Sequence, residues 1–226
     1  MTIAARWAHT RADVAAACAA AGRSINDLTI VAVSKKHPAS AVDEVVAAGA
    51  TDVGENYAQE LVAKREAVSA QVRWHFIGAL QRNKVKLVVG NVALIHAVDS
   101  IELLREIDKR AAALQLVQPV LIVVNLAGEA TKSGITDAEL PAVLAAATSC
   151  ANVAVNGLMT MPPPDADSRP FFAALRQLRD RHANPARPLP SLSMGMSDDF
   201  AAAIAEGATH VRIGTAIFGQ RPPRVG

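Results

Sequence analysis

Lys35 and Lys36 stand directly after Leu28-Thr29-Ile30-Val31-Ala32-Val33-Ser34, a short apolar run rich in β-branched residues. A lysine that ends a buried strand can be desolvated, and desolvation lowers an amine toward the range in which it attacks a carbonyl. A solvated strand-end lysine is the plainer reading of the same residues. Alternation along a strand sends neighbours to opposite sides, so only one of the two can face a common site. Near the other end of the chain, Arg212-Ile213-Gly214-Thr215-Ala216-Ile217-Phe218-Gly219 sets Gly and Thr between a strand and a short helix. Backbone N–H groups at such an opening can hold a phosphate, and Ser197 can add a hydroxyl from the preceding loop. Helix capping explains the same residue types without any ligand.

The elements that must position these groups follow from the apolar pattern. Eight short apolar runs, beginning near residues 28, 52, 74, 92, 120, 153, 192 and 209, are each separated from the next by a stretch of helical composition. Strands that read as continuous apolar runs between helices indicate a parallel sheet covered on both faces. Eight of them favour closure into a single (β/α)8 barrel, here expected as one domain over residues 1–226, with an extra Ala-rich helix in the first 22 residues. An open doubly wound sheet is the alternative. It would want a Gly-rich turn after the first strand, where the sequence reads SKKHPAS. In a barrel the chemistry belongs at the carboxyl ends of the strands, which here carry Lys35, Asn56, Thr160, Ser197 and Gly214.

Composition narrows the function further. Lys+Arg number 23 and Asp+Glu 21, a net charge of +2, so no field argues for nucleic acid or an anionic membrane. No run approaches about 18 uninterrupted apolar residues and no signal-peptide pattern opens the chain, which leads to the expectation of a cytoplasmic protein. Cys18 and Cys150 lie in Ala-rich helical stretches without CxxC spacing and read as small core residues. The six histidines show neither HxH nor HExxH spacing, so no metal site is expected. Glu102, Arg105 and Lys109, and likewise Arg176, Arg179 and Arg181, read as solvated helix faces.

Seven segments in this order carry a resemblance: AVSKKHP (Ala32 to Pro38), GENYAQE (Gly54 to Glu60), WHFIGALQRNK (Trp74 to Lys84), VDS (Val98 to Ser100), TKSG (Thr131 to Gly134), GLMTMPP (Gly157 to Pro163), and LSMGMSDD with VRIGTAIFG. Together they resemble the pyridoxal phosphate homeostasis proteins, a family related to the amino-terminal barrel of alanine racemase. The resemblance implies a fold-type III barrel that holds pyridoxal 5′-phosphate (PLP) as an imine on Lys35, with Lys36 in a more variable place. It implies that Ser197, Gly214 and Thr215 form the phosphate cup, that Arg212 faces the pyridine nitrogen, and that Asn56 lies near the ring hydroxyl. His75 and Met194 are expected to line the same mouth. One departure is Ala79, where the family commonly shows proline, which bears only on the local loop shape.

An arginine at the pyridine nitrogen offers donors and no acceptor, so it disfavours protonation of that nitrogen and makes the ring a poorer electron sink. Tyr57, the only tyrosine, opens the second barrel helix and reads as a packing or rim residue rather than a second base. The resemblance therefore implies a non-catalytic, monomeric PLP carrier that buffers the cofactor or delivers it to apo PLP-dependent enzymes. A PLP-dependent racemase or lyase of low activity, and a PLP-independent barrel enzyme acting on a sugar phosphate, are the competing readings.

Overall fold

A computed structural model describes residues 1–129 and 132–220. Eight parallel strands close into a barrel in sequence order: β1 Thr29–Val33, β2 Asp52–Glu55, β3 Arg73–Phe76, β4 Leu94–Val98, β5 Gln118–Val123, β6 Val153–Met159, β7 Ser191–Ser193 and β8 His210–Ile213. β1 pairs with β8 as well as β2, with Val31 opposite Arg212, so the two ends of the chain that carry the candidate chemistry are neighbours. The expected (β/α)8 architecture is the observed one.

Helices alternate with the strands. α1 Ile3–Ala20 precedes the barrel, followed by α2 Ala39–Ala47, α3 Ala58–Ala67, α4 Val85–Val88 and α5 Ile101–Ala113. Then come α6 Leu140–Ala147, α7 Arg169–His182, α8 Phe200–Ala205 and α9 Thr215–Phe218. The stretch of helical composition between β3 and β4 holds little helix over residues 80–89: a 3₁₀ turn at Arg82–Lys84 leads into a single α-turn. Val85, Val88 and Val89 are buried there, and Gly90 at φ +79° stops the segment. β-Branched residues lose rotamer freedom in a helix, and packing carries the segment instead of propensity.

Strand alternation divides the core. Ile30 and Ala32 on β1 join the apolar layer between sheet and helices, which also takes Val53, Phe76, Ile95 and Leu104. Residues of the opposite parity point into the barrel, where Leu94, Leu121, Val123 and Met159 form a small apolar cluster. That interior is full near β2, because a Cβ on Gly54 would lie 2.8 Å from Val31 Cγ1 and 3.1 Å from Ile77 Cδ1. Both cysteines are free and buried, as expected.

α1 lies against α2, α8 and α9 and ties the chain's two ends together. Arg6 donates from Nε to the Ile217 carbonyl at 2.7 Å and from Nη2 to the Phe218 carbonyl at 3.2 Å, satisfying carbonyls at the end of α9.

Candidate cofactor site

At the carboxyl mouth of the barrel a cavity of about 180 Å³ is lined by Lys35, Asn56, Ser197, Arg212, Gly214 and Thr215, together with Val33, His37, Ile77, Met161, Met196, Asp198 and Gly219. Lys35 keeps the parity of Val31 and Val33, which takes it to the inside of the barrel. Lys36 is exposed, does not line the cavity, and sits at φ +65° in the left-handed region. The choice between the two lysines is therefore made by the turn. That turn is anchored: the Lys36 N–H donates to Glu60 Oε1 at 3.0 Å and Oε2 at 3.1 Å.

A buried ion pair supports the same turn from below. Lys64, on α3, donates to Glu55 Oε1 at 2.6 Å and to the Ser34 carbonyl at 2.7 Å, while the Ser34 hydroxyl donates to the same carboxyl oxygen at 2.5 Å. Burial pushes the Glu55 carboxyl up to about 7 against the opposing pull of the Lys64 ammonium. Ser34, immediately before Lys35, is thus held through both its carbonyl and its hydroxyl.

On the opposite wall the Ser197 hydroxyl accepts the Ala216 N–H at 3.4 Å, which joins the loop after β7 to the opening of α9. Asn56 Oδ1 is buried and has no hydrogen-bond partner among the described residues, although Asn56 lines the cavity. A buried acceptor without a donor is costly, and a ligand donor would relieve it. Arg212 is 4% exposed and forms part of the floor. It donates from Nη1 to Ser193 Oγ at 2.7 Å and from Nη2 to the Thr160 carbonyl at 3.0 Å. Burial lowers the Arg212 guanidinium to about 10, which leaves it cationic at neutral pH.

Six of the eight residues expected at the site share this cavity; His75 and Met194 do not. Met194 is fully buried in the core, and Met196, two residues on, is the methionine at the mouth. His75 lies deeper in the barrel, with Nε2 2.9 Å from Asp52 Oδ1 and Nδ1 2.9 Å from His96 Nε2. His96 Nδ1 in turn lies 2.8 Å from Ser193 Oγ, so His75 reaches Arg212 only through other side chains. His37, stacked on Phe218 at 5.2 Å, joins the cavity wall from the SKKHP segment. The Ser34, Glu55 and Lys64 cluster and the linkage of His75 through His96 to Ser193 have no counterpart among the expectations from sequence. Their one signal is polar side chains at alternate positions of otherwise apolar strands. Tyr57 is 49% exposed at the start of α3 and does not line the cavity. Thr131 of the TKSG string lies outside the described residues.

Residues 11–222 match the family model of the alanine racemase N-terminal domain. The pyridoxal phosphate homeostasis protein of Aquifex aeolicus is 47% identical over 213 residues, covering 91% of this chain and 92% of that protein. The chain belongs to this family. The Escherichia coli K12 member is 41% identical across 97% of both chains. Among solved structures, PipY of Synechococcus elongatus, a 34% identical protein, superposes with a TM-score of 0.87 without PLP and 0.84 with PLP bound, and this chain covers 96% of its own length and all of PipY. Alanine racemase from Corynebacterium glutamicum, at 20% identity and a TM-score of 0.63, shares the fold over 62% of its length.

Proposed function

We propose that this protein binds PLP reversibly at the carboxyl mouth of its barrel and buffers it or hands it to apo PLP-dependent enzymes, working as a cytoplasmic monomer with little or no turnover of its own. The observation that carries this reading is the convergence of an amine, Lys35, an orphaned buried acceptor, Asn56 Oδ1, a buried cation, Arg212, and the Ser197/Thr215 loop pair on one cavity. That donor set fits an aromatic aldehyde bearing a phosphate, and the PLP-bound relative of the same fold supports it.

PLP supplies an electrophilic aldehyde that condenses with amines and releases them again. Lys35 supplies the amine, and the Ser34 anchors fix where it stands. Ser197, Gly214 and Thr215 would provide hydroxyl and N–H donors for the phosphate, and Asn56 Oδ1 would accept from a donor on the ring. Arg212 would present donors to the pyridine nitrogen and so disfavour a proton on it. His75, buried away from the cavity, acts on the ring only through Arg212.

Little turnover is expected because Arg212 makes the ring a poor electron sink and Tyr57 does not line the cavity. The decisive assay mixes the PLP-loaded protein with an apo acceptor enzyme. Activity should return faster than with the same concentration of free PLP, and equal rates would refute the carrier role. Loss of α-deuterium from amino acids at an enzymatic rate would establish the racemase reading in its place.

A further inference from the structure

The hydrogen-bonded series inside the barrel starts from a carboxylate, which settles its first link. Asp52, the first residue of β2, accepts from Thr51 Oγ1 at 2.6 Å and from Arg73 Nη2 at 2.8 Å. Burial raises its carboxyl, but hydrogen bonds from His75, Arg73 and Thr51 outweigh burial and hold it well below the ordinary carboxylate range. An ionised carboxylate only accepts, so the hydrogen between Asp52 and His75 sits on His75 Nε2. The series inferred below gives each imidazole one hydrogen, so that His75 Nδ1 is bare and accepts from His96 Nε2–H. His96 Nδ1 is then bare and accepts the Ser193 hydroxyl, whose oxygen accepts from Arg212. Burial holds His96 well below the usual imidazole range, so it stays neutral. His210 packs edge-on against it at 5.6 Å and is itself lowered by burial to about 4, so it adds no charge at neutral pH.

We infer that Asp52, His75, His96 and Ser193 are positioning residues for Arg212: a one-way series of donors that sets the tautomer of both histidines from the amino-terminal mouth and fixes the guanidinium plane at the cofactor cavity. The inference rests on the proposed PLP site for what Arg212 then does, but not for the direction of the series. Every link is buried except the far end, where the Arg73 side chain is 65% exposed. The two mouths of the barrel are thereby joined through side chains rather than through the sheet. A Ser193 hydroxyl that accepts from Arg212 while donating to His96 has both its functions used, leaving the guanidinium one partner on that side.

The direction is tested on ligand-free protein. In ¹⁵N-histidine spectra of the wild type, His96 should carry its hydrogen on Nε2. In Asp52→Asn, the amide oxygen stays with Arg73 and the amide N–H₂ faces His75, so the series reverses and the His96 hydrogen moves to Nδ1. A wild-type hydrogen on Nδ1, or the same tautomer in both proteins, overturns the direction. The positioning role is tested with Ser193→Ala, which should weaken PLP binding about tenfold, the loss of a charge-assisted hydrogen bond, whereas Ser193→Thr, which keeps the hydroxyl, should stay within about twofold. Unchanged affinity in a folded Ser193→Ala protein overturns the positioning role. Wild-type protein that takes up no PLP refutes the functional reading, and the nitrogen spectra then decide the series alone.

Discussion

Replacing Lys64 with Met removes the cation beneath the Lys35 turn and leaves Glu55, which is fully buried, to manage alone. In the wild type the Glu55 carboxyl is raised by burial from 4.5 to about 7. A carboxyl with a folded value above its unfolded one stabilises the protein at low pH, and that contribution is lost as the pH rises from about 4.5 through about 7. Above pH 7 the wild-type carboxyl ionises against Lys64 and the loss stops. In Lys64→Met the carboxyl has no partner cation and must keep its proton, so the loss continues at about 1.4 kcal/mol per pH unit. At pH 6 the variant should trail the wild type by about 1–3 kcal/mol, the worth of the lost hydrogen bond to the Ser34 carbonyl. At pH 8.5 the gap should have widened by a further ~2 kcal/mol, about 4–8 °C in Tm for a chain of this size. Urea denaturation at pH 6, 7.5 and 8.5 measures it. The double variant Glu55→Gln/Lys64→Met has no carboxyl to titrate there, so its gap to the wild type should narrow by about 1 kcal/mol between pH 6 and 7.5 and then hold steady to pH 8.5. A constant or narrowing gap for Lys64→Met alone would refute the reasoning.

Two further substitutions probe the walls of the cavity. Gly78→Ala places a Cβ 2.2 Å from the Asn56 carbonyl oxygen, which forces the backbone beside the orphaned acceptor to move. We expect a stability loss of about 1–3 kcal/mol together with weaker PLP binding, read by thermal unfolding and fluorescence titration; wild-type values in both would show that the cavity is not so closely fitted. Arg6→Ala removes the two side-chain bonds to the Ile217 and Phe218 carbonyls. It should cost about 1.5–3 kcal/mol and speed hydrogen exchange at Thr215 to Phe218 more than elsewhere, and a uniform change along the chain would contradict the stapling role of α1.

The barrel was legible because each strand is a short apolar run and each helix has its own stop, so strand order and closure follow from counting. The segment between β3 and β4 departs from the helical composition expected of it because its valines, Val85, Val88 and Val89, are buried as a turn. Lys35 is legible from the strand before it, whose alternation gives it the inward parity of Val31 and Val33, whereas the left-handed turn at the exposed Lys36 is announced by no periodicity. Met194 and Met196 have the same side chain two residues apart; β7 ends at Ser193, before both, and only the later one reaches the cavity. The interior series was hidden for another reason. His75 and His96 are 21 residues apart, and Ser193 is a further 97 residues on, so closure of the barrel alone makes them neighbours.

The central claim is that the Lys35 amine holds PLP while the loops after β7 and β8 hold its phosphate. Borohydride reduction of the PLP-loaded protein, followed by peptide mass mapping, tests it directly. The account predicts a phosphopyridoxyl group on Lys35 alone, and none after reduction of Lys35→Ala. A group on Lys36, or an undiminished adduct in Lys35→Ala, would contradict it.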